Sequence, residues 1–162
     1  MKKIFFVLAV AASVSFSSAG YAASQCYTPR EVEAEQGLRI QSELMVIALT
    51  CMKMPQSQDM YTKYQSFTRK NQTALTGYEN ELIGYFRNGG SKNAEQDFHT
   101  LRTGLANKIS QSAIRMSTLS FCQNFGPRVD TALAMDPAKF QRWAQHPFAD
   151  SPTSRPACTA SR

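Results

Sequence analysis

The chain reads as an all-α protein: an antiparallel bundle of three long helices plus one or two short C-terminal helices, stapled by two disulfides. Apolar residues recur at spacings of three and four over three long stretches, the period of a helix with one buried face. Capping residues open these stretches, and all four cysteines lie beyond residue 22 with no Cys-x-x-Cys among them. No stretch alternates apolar and polar residues as a half-buried strand would, and there is no internal repeat or sustained heptad.

The first element is a leader and not part of the fold. Met1-Lys2-Lys3 is positively charged, Ile4 to Val14 is a short apolar run, and Gly20-Tyr21-Ala22 supplies the small residues that precede signal-peptidase cleavage. Residues 1–22 are therefore expected to be removed after Ala22, which makes the protein exported and periplasmic, with release to the outside as the alternative. Lipid attachment at Cys26 is disfavoured because Gln25, not a small residue, precedes it. Removal leaves 140 residues, enough for one domain with one core. Nothing after Ala23 approaches the roughly 20 apolar residues of a spanning helix, so a soluble domain without a transmembrane segment is expected.

Thr28-Pro29-Arg30-Glu31 opens the first helix with a hydroxyl cap, proline at the first helical position and a glutamate placed to reach back to the cap. Val32, Leu38, Ile40, Leu44, Ile47, Ala48 and Cys51 form its stripe, and Pro55 stops it shortly after Met54. Ser57 or Asp59 caps the second, whose stripe runs from Met60 through Phe67 and Leu75 to Tyr85 and ends at Asn88-Gly89-Gly90-Ser91. Asn71 falls in a gap of that stripe. Thr76-Gly77 is where a break or bend is expected, since glycine costs about 1 kcal/mol against alanine in a helix. Asn93-Ala94-Glu95-Gln96 caps the third, which carries Phe98, Leu105, Ile109 and Met116 and continues past Cys122 to Asn124. Residues 128–135 form a shorter helix, and Asp136-Pro137 opens another that holds Phe140 and Trp143. Residues 23–146 are thus the bundle, and 147–162, rich in Pro, Ser and Thr, form an irregular tail tethered by Cys158.

At 1.5 Å per residue the long helices measure about 39, 46 and 46 Å, matched lengths that short links make antiparallel neighbours. In an up-down-up arrangement the ends carrying Cys51 and Cys122 share a pole, and Cys26 lies at the other, where the tail can return Cys158. The expected pairs are Cys51–Cys122 and Cys26–Cys158.

Catalytic signatures are absent from the sequence. There is no Gly-x-Ser-x-Gly and no His-Glu-x-x-His, and Glu79 and Glu81 cannot share one helical face. The two histidines, His99 and His146, have no ligand partner at metal spacing. No cofactor is expected. One cluster has soft-ligand chemistry, Met45, Cys51, Met52, Met54 and Met60, which would suit copper in the periplasm if Cys51 were free. Methionine as core filler and Cys51 as half of a staple is the plainer account.

The full chain carries 18 basic and 12 acidic residues, a charge of +6; without Lys2 and Lys3 it has 16 basic residues and +4. That balance favours acidic partners mildly and holds no dense basic run for nucleic acid. Surface contacts are expected from Tyr61, from Tyr85 or Phe86, and from a basic strip of Arg102, Lys108 and Arg115 on the wet side of the third helix. The functional expectation is a non-catalytic exported protein that binds another protein or an envelope component. The alternatives are a copper or small-ligand carrier and an envelope enzyme.

Overall fold

The structure is a computed structural model that describes residues 26–146 and 152–158. The expected leader at 1–22, and parts of the expected tail, lie outside the described residues. The regular structure of the described residues is helical, with one isolated bridge and no strand among them.

Helix α1, Pro29–Cys51, begins as its cap dictates. The Thr28 hydroxyl accepts from the Glu31 amide, and Glu31 accepts from the Thr28 amide at 2.7 Å. A single 3-10 turn, Pro55–Ser57, follows; its proline cannot continue α1, which ends three residues before Met54. The second expected helix is two. α2, Met60–Lys70, and α3, Gln72–Asn88, meet at Asn71, not at Thr76-Gly77. Asn71 is buried, and its side-chain amide donates to the Phe67 carbonyl at 2.9 Å, so it competes with the helical ladder at the very gap in the stripe. Gly77 meets no atom that would crowd a Cβ and leaves α3 unbroken.

The third expected helix also divides. α4, Ala94–Ile114, is capped by Asn93, and α5, Thr118–Phe125, by Ser117, whose hydroxyl accepts from the Ser120 amide. An apolar stripe that continued through Met116 concealed this second cap. α6, Pro127–Ala134, and α7, Pro137–Ala144, follow, the latter capped by Asp136 on the Lys139 amide at 2.7 Å.

The arrangement departs from three equal rods side by side. α1 is the axle, and every other helix packs against it. From Ala34 to Ser42 each of its residues is buried. Leu38, Ile40, Leu44 and Ile47 are each at most 1% exposed, and burying such a side chain contributes roughly 1.5–3 kcal/mol. Gly37 allows the closest approach: a Cβ there would stand 2.5 Å from Cδ2 of Tyr78, so only glycine lets the α3 ring lie on the α1 backbone. Phe67, Tyr78 and Phe140 then stack edge to face, joining α2, α3 and α7 around the axle.

Both expected disulfides are present. Cys51–Cys122 joins the end of α1 to α5, and Cys26–Cys158 joins the entry of α1 to the tail. The break before α5 turns the chain so that Cys122 reaches Cys51. Beside the second bond, the Tyr27 amide donates to the Pro156 carbonyl and the Cys158 amide to the Tyr27 carbonyl, both at 2.8 Å. No described helix is long and apolar enough to cross a membrane.

Candidate functional site

A helix buried on all sides must bury whatever polar residues it carries, and α1 carries several. Glu35 is fully buried and pairs with Arg39 at 2.9 Å. The tail completes the shell of that carboxylate: the Ser154 amide donates to it at 2.8 Å, the Ser154 hydroxyl donates to its other oxygen, and the Pro152 carbonyl accepts from Arg39 at 3.0 Å. A buried charge needs such partners, so the strap that Cys26–Cys158 tethers is also the solvation of Glu35. Among the described residues, Arg39 Nε and Gln41 Oε1 are buried without a hydrogen-bond partner.

Residues 39, 43 and 47 stand one helical turn apart and face away from α3, towards α4, α5 and α6. There an open cleft of about 800 Å³ separates α1 from the C-terminal part of α4 and the α5–α6 corner. Ile47, Ile109, Phe121, Phe125 and Met135 give it an apolar wall, while Arg39, Lys108, Arg115 and Arg128 are its cations and Glu43 its one carboxylate. Glu43 binds Arg128, whose guanidinium lies 5.0 Å from the centre of the Phe125 ring. Arg39 is matched by Glu35. Lys108 and Arg115 are exposed and have no acidic partner among the described residues. The cleft is therefore electropositive over an apolar floor.

Of the residues singled out from sequence, the structure brings Lys108 and Arg115 together here. Arg102 does not join them, because it pairs with Glu79 at 2.9 Å. Tyr61, Tyr85 and Phe86 are half-buried against the core, Tyr85 edge-on to Tyr27 at 4.7 Å. In the methionine cluster, Cys51 is half of a disulfide, Met60 is in the core, Met45 and Met54 pack against it, and Met52 is exposed. The described residues contain no group of three or more His, Cys, Asp or Glu placed to hold a metal ion. Sequence reasoning missed Arg39, Glu43, Phe121, Phe125 and Arg128 as one site. The signal for Arg39 and Glu43, two charged residues four apart on α1, becomes readable only once α1 is known to be the axle, and Phe121, Phe125 and Arg128 join them only through the placement of α5 and α6.

A smaller depression of about 390 Å³ lies between Val46 and Thr50 of α1 and the α4–α5 link; on its rim Ile114 is 81% exposed, and it holds no charged side chain. Comparison of the chain with protein-family models, with curated proteins and with solved structures returns no match.

Proposed function

We propose that this is an exported, non-catalytic binding protein, periplasmic once residues 1–22 are removed, whose partner is another protein or an envelope component held at the α1–α4–α5 cleft. One observation carries the reading: a concave, ligand-sized space with an apolar floor and two exposed cations, Lys108 and Arg115, unmatched by acids of the described residues. Two disulfides in a chain of this size support an oxidising compartment. The cleft's carboxylate, Glu43, is already bound by Arg128, an arrangement suited to recognition more than to proton transfer.

The test uses the native host and a photo-crosslinking side chain placed in turn at Ser112, an exposed and uncharged position in the cleft lining, and at Glu95, an exposed control position in the first turn of α4. The expected result is an N-terminus at Ala23, an adduct from position 112 that Lys108→Glu suppresses, and none from position 95. Equal adducts from both positions, or turnover of a cell-wall polymer by the purified protein, would overturn the proposal.

A further inference from the structure

We infer that the cleft takes a single-chain anionic amphiphile, a long-chain carboxylate whose head sits between Lys108 and Arg115 and whose apolar chain lies along Ile109 and Phe125. This deepens the proposed function and rests on it, since it names the chemistry of the envelope component.

The charge pattern selects the head. Arg39 and Arg128 are each matched by a carboxylate of the protein, so neither presents a net charge to a ligand, whereas Lys108 and Arg115 do. They stand seven residues apart, about 10 Å along α4, so their flexible stems reach one small anion by converging over the cleft, with the guanidinium able to make paired hydrogen bonds. The wall selects the body. A purely polar polyanion would leave the open parts of Ile109, Phe125 and Met135 facing water, whereas a hydrocarbon chain covers them and gains about 25 cal/mol for each Å² of apolar surface removed from water. The Arg128 guanidinium, its carbon 5.0 Å from the centre of the Phe125 ring, bounds one side of that floor. A volume of about 800 Å³ lies in the roughly 300–1,000 Å³ range of small-molecule sites.

The experiment is displacement of 8-anilinonaphthalene-1-sulfonate, itself an anion on an aromatic body, from the mature disulfide-bonded protein. The competitors are laurate, dodecyl maltoside, dodecyltrimethylammonium, a lysophospholipid and acetate, each below its micellar concentration. Laurate should displace the dye, with affinity at least tenfold above the neutral and cationic C12 compounds, and acetate should not. Lys108→Glu/Arg115→Glu should lose laurate at least tenfold, and Lys108→Arg/Arg115→Lys should keep it; both pairs change exposed side chains, and circular dichroism checks their fold. Equal displacement by all C12 compounds, displacement by the lysophospholipid alone, or none at all would overturn the inference. The crosslink from position 112 separates the two failures: with the adduct present only this ligand class falls, and with it absent the binding reading falls as well.

Discussion

Replacing Arg39 by methionine should cost about 3–5 kcal/mol, although it removes only one hydrogen-bonded cation. At the observed 2.9 Å and an effective dielectric near 20, Arg39 attracts Glu35 by roughly 6 kcal/mol. Much of that offsets the desolvation of the two groups, so the pair's net worth is small while both are present. Removing one side ends the offset. Glu35, fully buried, would keep the two donors of Ser154 and the Tyr27 phenol beside it but no cation. Urea unfolding of the oxidised mature protein, followed by circular dichroism, should show a midpoint lower by about 1.5–2.5 M for a slope near 2 kcal/mol/M. Arg102→Met is the internal control, because its bond to Glu79 has the same 2.9 Å length but both side chains are about one-third exposed, and it should cost under about 1 kcal/mol. Adding Glu35→Gln to Arg39→Met should recover part of the loss, since no charge is then left buried. If Arg39→Met costs no more than Arg102→Met, the reasoning about a charge enclosed by the tail is refuted.

Deleting Cys26–Cys158 by a double alanine substitution should destabilise by up to about 5 kcal/mol, the chain-entropy value for a separation of 132 residues, and open the tail to protease before the helices unfold; an unchanged melting temperature would contradict it. Burial holds the Tyr27 and Tyr78 phenols well above their ordinary value, helped in Tyr78 by its hydrogen bond to Glu33. The unfolded rings ionise near pH 10 while the folded ones stay protonated, so stability is complete below about pH 10 and falls above it by up to about 1.4 kcal/mol per pH unit for each ring. Thermal melts from about pH 9 to pH 12 should show that slope, and Tyr27→Phe and Tyr78→Phe should each flatten it. Gly37→Ala should cost about 1–3 kcal/mol by driving a methyl group into the Tyr78 ring, whereas Gly77→Ala, with open space around it, should raise stability by a few tenths of a kcal/mol or more; paired unfolding curves decide both.

Local chemistry made the helix starts legible. Thr28, Asn93 and Asp136 each stand where a short side chain must accept an orphan amide, and that requirement does not depend on the rest of the fold. The cysteine pairing was legible too, because two helix ends at one pole leave few alternatives. Breaks inside apolar stripes were not, since Asn71 and Ser117 interrupt the backbone while neighbouring apolar residues keep the period. Nor was the cleft. Glu35 and Arg39 stand four residues apart outside the apolar stripe, and only the packing of the other helices and the tail around α1 turns their face inward. Lys108 and Arg115 were visible as a wet strip, but the aromatic floor opposite them comes from α5, whose direction depends on the break at Ser117.

The Cys26–Cys158 bond has a mechanical consequence. Its two Cα atoms are 4.9 Å apart, so tension applied through the chain segments outside these cysteines runs through a single covalent link and bypasses every helix between them. Pulled in that direction, the domain extends by almost nothing while oxidised; once reduced, the same pull peels the tail from Glu35 first and then lengthens the molecule by the whole enclosed stretch.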